Sequence, residues 1–377
     1  MNTDQQPNKL RWGILSAAMI ARKNWRAFSQ SQYSTLVAVA AREQSKARQF
    51  VDECNAQFPI LPSVEAIAGY SELLARTDVD AVYIPLPTGL RKEWILKALN
   101  AGKHVLSEKP VAISIADMDE ISCAVRSSGK HFMDGVMFAH SARLSSIEKS
   151  IHVDKSVGNV RRVASHFSFK ADDDFATSNI RSQSEMEPLG CLGDLGWYNV
   201  RFILSAMNWE LPTHVIGRTL VGYPGGSSSN AGLVPAEFSG ELFFDQGRTA
   251  SVYCSFLAEL QQWSHVSGDL GHLFVDDFVL PYYGSRTSYI THSPVFHVRN
   301  SDFRMEDRRQ TQTCNEYSEG HPTAQEVLLF DDFSRLVLAG APDNRWLEYA
   351  EKTQRVVDAL KKSADNKNAI VYLTEPS

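Results

Sequence analysis

A lysine and a proline directly follow one of the short apolar runs of the chain. The run His104–Ser107 predicts a buried strand, and Glu108, Lys109 and Pro110 come next. A lysine at the carboxyl end of such a strand can have a lowered pKa when it is partly desolvated, and it can then move protons. Lys109 is therefore a candidate acid–base group, with an ordinary surface Glu–Lys pair as the alternative.

An aspartate and a tyrosine form the second candidate group. Asp194 and Tyr198 are four residues apart in the glycine-rich segment 190–198, so on a helix they share one face. A phenol can accept or donate a proton when it is suitably placed. The alternatives are that Asp194 only caps a helix and that Tyr198 only packs in a core.

Small residues occupy the turn between the first predicted strand and the first predicted helix. Ser16, Ala18 and Ala21 stand at the spacing where dinucleotide-binding folds carry Gly, Gly and Gly or Ala. Small residues there let the backbone approach a pyrophosphate at the helix N-terminus, where Met19 and Ile20 follow. The turn indicates a dinucleotide site, although an ordinary strand-to-helix turn fits the same residues.

Two basic residues follow the second predicted strand. An acidic residue at this point would bind the ribose hydroxyls of NAD, but this chain has Arg42 there and Lys46 one turn later. A guanidinium fits a 2′-phosphate through charge-assisted hydrogen bonds, worth roughly 1.5–3 kcal/mol. The pattern predicts NADP, with NAD less favoured. The alternative is a solvated arginine at the start of a helix.

The elements that position these residues alternate over the first 135 residues. Runs that are continuously apolar are typical of strands covered on both faces of a parallel sheet. The predicted strands are Leu10–Leu15, Leu36–Ala41, Ala81–Ile84, His104–Ser107 and His131–Met133, with helices at 18–28, 45–56, 89–99 and 114–126 between them. The alternation predicts an α/β fold with an N-terminal Rossmann domain, a doubly wound parallel sheet that binds ligands at the carboxyl ends of its strands.

The pattern changes after Gly135, where long strand-like stretches follow one another. These stretches are 160–169, 214–220, 240–244, 249–256 and 272–279, and helices are predicted at 141–152, 194–205, 323–338 and 346–362. Arg299–Gly320 is polar and is interpreted as irregular. We expect a Rossmann domain over residues 1–136 and a C-terminal α+β domain with a mostly antiparallel sheet over 137–377, the last helices being able to pack back on the first domain.

Composition excludes several classes of protein. The 377 residues carry a net charge of −6, which does not favour a nucleic-acid-binding surface. No apolar run is long enough to cross a membrane, and no histidine or cysteine spacing indicates a metal site. Met1–Lys9 is polar and lacks the apolar core of a signal peptide, so we expect a cytoplasmic protein.

Three motifs in this order resemble the glucose–fructose oxidoreductase and inositol dehydrogenase (Gfo/Idh/MocA) family over almost the whole chain. They are Asp80–Thr88, which includes the third predicted strand; Ser107–Pro110, with the Glu-Lys-Pro pattern; and Leu192–Tyr198, with Asp and Tyr four apart. Arg11–Ile14, Met133–Gly135 and Asn179–Arg181 are similar to the branch of dimeric dihydrodiol dehydrogenases and NADP-linked D-xylose dehydrogenases.

The resemblance implies roles for individual residues. Lys109 and Tyr198 would be the catalytic pair, oriented by Asp194, and the Lys109–Pro110 bond would be cis. Leu86, Pro87, Thr88, Glu108 and Lys109 would contact the cofactor on its nicotinamide side, and Arg181 and His140 are weaker candidates for substrate contacts. The large open sheet of the second domain would form a homodimer or a higher homo-oligomer through its outer face.

Some positions depart from the family pattern. Ser16 and Ala18 replace glycines, Arg91 stands where many members have histidine, and the segment 141–143 lacks a common proline. These departures affect the substrate more than the fold.

The resemblance implies NADP-dependent oxidation of a secondary alcohol or hemiacetal hydroxyl of a sugar, polyol or diol, without nucleic-acid or membrane partners. One alternative is a lyase or glycosidase-type enzyme that retains its cofactor and oxidises the substrate transiently. Another is a non-catalytic NADP-sensing regulator, which would need neither Lys109 nor the Asp-x-x-x-Tyr pair. Fold alone does not decide among them.

Overall fold

The computed structural model describes residues 8–224, 233–340 and 343–373. They group into two compact units, the first containing Met1–His140 and Glu319–Glu351 and the second containing Ser141–Ser318 and Lys352–Ser377. The sequence placed the domain boundary after residue 136 and allowed the last helices to pack back on the first domain. The first unit instead continues to His140 and also takes in Glu319–Glu351.

Helices and strands alternate in the first third of the chain, and strands dominate the middle. The strands are β1 Leu10–Leu15, β2 Ser34–Ala41, β3 Glu65–Ala68, β4 Ala81–Ile84, β5 His104–Ser107, β6 Phe132–Asp134, β7 Val160–Ser168, β8 His214–Pro224, β9 Leu233–Phe243, β10 Thr249–Ser255, β11 Gln261–Gly268, β12 His272–Val275, β13 Thr287–His292, β14 Val295–Arg299, β15 Asp302–Glu306, β16 Arg309–Cys314 and β17 Val371–Tyr372. The helices are α1 Met19–Gln30, α2 Gln44–Gln57, α3 Tyr70–Leu74, α4 Thr88–Asn100, α5 Ile115–Ser128, α6 Ala142–Glu148, α7 Phe175–Ser178, α8 Gly190–Asp194, α9 Gly196–Ala206, α10 Gln325–Ala339 and α11 Arg345–Asp365.

The sheet of the first unit has six parallel strands in the order β3-β2-β1-β4-β5-β6. This is the strand order of the dinucleotide-binding doubly wound fold, with the switch point between β1 and β4. The predicted fold class is confirmed, and β3 is a strand that the sequence did not predict. All four residues of β4 are buried, as expected for a strand covered on both faces.

A cluster of aromatic residues from both ends of the chain fills the core of the first unit. The ring of Trp12 in β1 lies 5.4 Å from Phe330 and 5.0 Å from Phe333, both in α10, and 5.7 Å from Phe28 in α1. Its indole N–H donates to the hydroxyl of Ser334 at 3.1 Å. Since buried aromatic side chains dominate core energetics, α10 is an integral part of this unit.

The second unit contains a nine-stranded sheet in the order β16-β13-β12-β11-β7-β10-β9-β8-β17. Its neighbouring strands are antiparallel except for the pair β7–β10, which confirms the predicted mostly antiparallel sheet. Helix α9 packs against β7 and β10. Alternate residues of these two strands, such as Val163 and Val252, are therefore buried on that face.

The polar segment Arg299–Gly320 is not irregular, as the sequence suggested. It contains β15 and β16, and β15 pairs with β14 in a separate two-stranded sheet. All five residues of β15 are exposed. The pattern of buried apolar residues that reveals a strand is therefore missing from the sequence.

No helix among the described ranges is long and apolar enough to cross a membrane. Within the same ranges, no group of three or more His, Cys, Asp or Glu side chains is arranged to hold a metal ion.

Candidate active site

The turn after β1 holds a serine in a backbone conformation that favours glycine. Ser16 has φ 142°, in the positive region that L side chains rarely adopt. Ala18 then provides the N-cap of α1, where no side chain caps the helix and no acidic residue lies in the first turn. This is the backbone arrangement that the glycines of a dinucleotide fingerprint would take, and it leaves the N-terminal amides of α1 uncapped by side chains.

Replacing Ser16 with glycine is expected to stabilise the first unit by about 1 kcal/mol, because a strained φ costs about 1–3 kcal/mol and glycine's extra freedom when unfolded offsets part of the relief. Urea unfolding of the two proteins measures the difference. Ser16→Ala is the control, since alanine keeps the Cβ and should give no gain. Equal stability changes in both variants would contradict the expectation.

Two basic side chains follow β2, and only one of them is hydrogen-bonded among the described residues. Arg42 is exposed, and within the described residues its guanidinium makes no hydrogen bond or ion pair. Lys46 donates to Glu43 at 2.7 Å, and this hydrogen bond lowers the pKa of Glu43. Arg42 is thus available to an anionic ligand, whereas Lys46 would first have to exchange its contact with Glu43.

A buried hydrogen-bond chain lies beneath Lys109. The side-chain amide of Asn24 donates to the hydroxyl of Tyr83 at 2.7 Å, and that hydroxyl donates to Oε1 of Glu108 at 2.6 Å. Burial, together with the neighbouring Glu108, holds the pKa of Tyr83 well above its ordinary value, so the hydroxyl remains a donor. Oε2 of Glu108 accepts from the backbone N–H of Lys109 at 3.2 Å.

Glu108 therefore contacts the protein through both carboxylate oxygens, and only 7% of its surface is exposed. This placement supports a role in fixing the backbone of Lys109. Its predicted contact with a cofactor stays a prediction. The Lys109–Pro110 bond is cis, as the resemblance implied.

The loop after β4 carries the remaining predicted cofactor contacts. Leu86 and Thr88 are buried, and Pro87 provides the N-cap of α4. Because Ile84 of β4 pairs with Ser107 of β5, this loop and the Lys109 segment leave neighbouring strands at the same edge of the sheet. Arg91 connects them by hydrogen bonds to the carbonyls of Leu86 and Pro110.

In the second unit, Asp194 ends α8 and Tyr198 lies in the first turn of α9. Nε of Arg181 lies 2.7 Å from a carboxylate oxygen of Asp194, and the charge of Asp194 raises the pKa of Arg181. The ring of Tyr198 packs edge-on against Phe167 at 5.8 Å. Three of the residues singled out from the sequence thus lie together in this unit.

The glycine-rich approach to this motif serves packing against the sheet. Gly190 has φ +50°, and a Cβ there would lie 2.1 Å from the backbone oxygen of Pro235 in β9. Any larger residue would push α8 off the strand and displace Asp194 with it.

His140 lies in a short 3-10 helix, Met137–His140, of the first unit. Its imidazole is fully buried, with Nδ1 2.7 Å from Asp332, and it stacks on Trp346 at 4.5 Å. These contacts give His140 a structural role, and its predicted contact with a substrate stays a prediction.

Sequence reasoning missed Asn24 and Tyr83, and it noted Arg91 only as a departure from a family pattern. Tyr83 was noted only as part of the motif Asp80–Thr88, and inside that apolar run its side chain could not be distinguished from a core residue. Its partner Glu108 is 25 residues away. Their meeting depends on β4 and β5 being neighbours in the sheet.

The chain is similar to known oxidoreductases. The model of an oxidoreductase family with an NAD-binding Rossmann fold matches residues 10–136. The dTDP-3,4-didehydro-2,6-dideoxy-alpha-D-glucose 3-reductase of Saccharopolyspora spinosa is 30% identical over 276 residues, 72% of this chain and 76% of the reductase. The enzyme of the same name from Streptomyces violaceoruber is 34% identical over 206 residues, 54% of this chain and only 56% of the reductase.

A relative that aligns over nearly its full length is the D-xylose 1-dehydrogenase (NADP(+)) 2 of Haloferax volcanii, which is 28% identical over 96% of this chain and 99% of its own. Among solved structures, a 3-ketoreductase from Actinomadura kijaniata in complex with NADP and TDP-benzene superimposes with a TM-score of 0.77 at 24% identity, covering 94% of this chain and 98% of the reductase. At that identity the structural likeness shows the fold alone.

Proposed function

Because this chain belongs to the Gfo/Idh/MocA oxidoreductase family, we propose that it transfers a hydride between NADP and a secondary alcohol or hemiacetal carbon of a sugar, polyol or diol. The observation that carries the proposal is the placement of Lys109 at the carboxyl edge of the parallel sheet. There a buried hydrogen-bond chain fixes its backbone from β4, on the edge where such sheets bind ligands.

The residues at that edge fit a dinucleotide with a 2′-phosphate. Ser16 already has a glycine-like φ, no acidic side chain opposes an anion in the first turn of α1, and Arg42 is exposed and without an ion pair among the described residues. Bound NADP would supply the hydride acceptor or donor. The turn at 16–20 would hold its pyrophosphate, and Arg42 would hold its 2′-phosphate.

We assign the proton transfer to Lys109 and Tyr198, on the family pattern. A phenol near an ammonium ion has a lowered pKa, which suits it to accept the proton of a substrate hydroxyl. Asp194, which lies four residues before Tyr198 and is ion-paired with Arg181, would orient Lys109 and balance its charge. Arg181 would also contact substrate hydroxyls, as proposed from the sequence.

The relatives' names support this substrate class. The curated relatives are named as reductases of a dideoxy sugar nucleotide and as a dehydrogenase of a pentose. The chain matches only about half the length of the first of them, so the carbohydrate substrate is part of the proposal.

Titration with NADPH and with NADH, followed by nucleotide fluorescence, tests the cofactor. We expect the Arg42→Ala variant to bind NADPH about 10- to 100-fold more weakly, because one charge-assisted contact is lost, and to bind NADH unchanged. Arg48→Ala is the matched control, since Arg48 is exposed on the following helix, 4.0 Å from Asp52. Equal weakening of both nucleotides by Arg42→Ala would refute the assignment of the 2′-phosphate site.

A screen of pyranoses, polyols and diols with NADP then tests the reaction. Net reduction of NADP by one of these classes is the expected result. Product formation without net change in a tightly retained nucleotide would favour the transient-oxidation alternative. Nucleotide binding without turnover of any substrate would favour a regulator.

We further propose that the nine-stranded sheet associates with a second copy of the chain. The sheet face opposite α9 carries half-exposed aromatic side chains that form a contiguous group, namely Tyr253, His166, Trp263 and Phe274. Contiguous apolar surfaces of this kind are typical of protein interfaces. Sedimentation equilibrium measures the mass, and a monomer at micromolar concentration would oppose the proposal.

A further inference from the structure

Arg91 is an arginine of α4 that is buried at the ligand-binding edge of the first unit. Only 6% of its surface is exposed. Its Nε donates to the carbonyl of Leu86 at 2.7 Å, and its Nη1 donates to the hydroxyl of Thr88 at 2.8 Å and to the carbonyl of Pro110. One guanidinium thus joins the end of β4, the start of α4 and the segment that carries Lys109.

All three acceptors of Arg91 are neutral. In the part of the chain that the structure describes, no carboxylate lies within ion-pair distance of this guanidinium. A buried charge without a counterion costs several kcal/mol, whereas Lys97 on the same helix keeps its ammonium exposed beside Glu93. An ion pair therefore does not explain why Arg91 is buried. Its guanidinium is a planar fork of N–H donors, and this geometry allows it to bind all three acceptors at once.

The contacts of Arg91 complete the fixation of Lys109. On the N-terminal side, the backbone N–H of Glu108 donates to the carbonyl of Ile84 at 3.1 Å, and the N–H of Lys109 donates to the Glu108 carboxylate. On the C-terminal side, the carbonyl of Pro110 is held by Arg91. The backbone of Lys109 is thus anchored to β4 and α4 from both directions.

We propose that Arg91 is a positioning residue. It fixes the position of Lys109 relative to the loop of Leu86 and Thr88, and thereby the distance of Lys109 from the nicotinamide side of the cofactor. The inference rests on the proposed function, since it gives Lys109 a catalytic role. Arg91 itself acts only through backbone carbonyls and the Thr88 hydroxyl. A displacement of about 1 Å at a reacting group can lower turnover by about 100-fold, so loss of the fork should be visible in turnover.

Arg91→Lys tests the fork, because it retains a positive charge but cannot reach three divergent acceptors. We expect kcat to fall about 10- to 100-fold, with a much smaller change in the Kd for NADPH. Arg91→His is the second variant, chosen because histidine replaces the guanidinium with a smaller planar group that still carries an N–H donor. It should retain more turnover than Arg91→Lys, since an imidazole also offers a rigid N–H donor. Arg48→Lys is the matched control and should leave kcat unchanged.

A double-mutant cycle with Lys109→Ala separates positioning from a general structural effect. If Arg91 acts through Lys109, Arg91→Lys should lower kcat little further once Lys109 is gone. The proposal is overturned if Arg91→Lys keeps wild-type kcat, if it only lowers the unfolding midpoint, or if it lowers kcat by the same factor in the Lys109→Ala background. Full activity of Lys109→Ala itself would instead refute the proposed function, and the role of Arg91 with it.

Discussion

Replacing Lys109 with alanine is expected to lower turnover by about 100-fold or more, the usual contribution of a positioned acid–base group. The affinity for NADPH should remain close to that of the wild type, because Ser16, Ala18 and Arg42, the predicted phosphate contacts, lie on other turns of the sheet edge. Steady-state rates with the best substrate of the screen, together with a fluorescence titration of NADPH, measure both quantities.

Lys97→Ala is the control for the removal of an ammonium. Lys97 is half exposed and ion-paired with Glu93, so its loss should change neither quantity. Turnover of Lys109→Ala within a few-fold of wild type, or a rise in the Kd for NADPH that matches the loss of turnover, would show that Lys109 does not act in catalysis. Comparing the pH–rate profiles of Lys109→Ala and Tyr198→Phe then shows which group is the direct proton carrier. The limb of the profile that reports the titration of this group should disappear only in the variant that lacks it.

Replacing Arg143 with methionine is expected to destabilise the second unit by about 3–5 kcal/mol, the cost of leaving a buried charge without its partner. Arg143 and Asp277 are both buried and ion-paired, and the backbone N–H of Arg143 also donates to the carboxylate of Glu316 at 3.3 Å. Burial raises the pKa of Glu316, which indicates how poorly this region tolerates a further uncompensated negative charge. Methionine preserves most of the apolar contact of the arginine stem and removes the guanidinium.

The matched control is Arg162→Met, also in the second unit. Arg162 pairs with Glu241, but both side chains are more than 40% exposed, and exposed pairs contribute about 0–1 kcal/mol. Urea unfolding followed by tryptophan fluorescence measures both variants. Equal destabilisation by the two substitutions would mean that burial of the Arg143–Asp277 pair is unimportant.

The sequence predicts best the strands that are buried on both faces. β1, β4 and β5 begin and end at the residues expected from their apolar runs, because a parallel strand between two helical layers is apolar over most of its length. β11 was missed for the opposite reason. Its buried positions include Gln262 and Ser264, whose side chains are hydrogen-bonded to Leu280 and Ser165, so polar residues occupy the core without an apolar pattern.

The residues of the candidate site also fall into those that the sequence could identify and those that it could not. Lys109, Asp194 and Tyr198 could be identified because each lies in a short motif. Asn24, Tyr83 and Arg91 could not be given their roles, because hydrogen-bond partners 19 to 59 residues apart depend on the strand order of the sheet. Short motifs identify the reacting groups. The side chains that hold these groups in place can be identified only when the strand order of the sheet is known.

The contribution of α10 to the first unit has a consequence for how the protein is made. The α10 partners of Trp12 are translated long after it. They are the rings of Phe330 and Phe333 and the hydroxyl of Ser334, which lies 322 residues later in the chain. A ribosome must therefore synthesise β7 to β16 of the second unit before α10 can join the core of the first unit. A nascent chain stalled at His140 would lack the α10 partners of Trp12 and Phe28, and apolar surface exposed in this way favours aggregation.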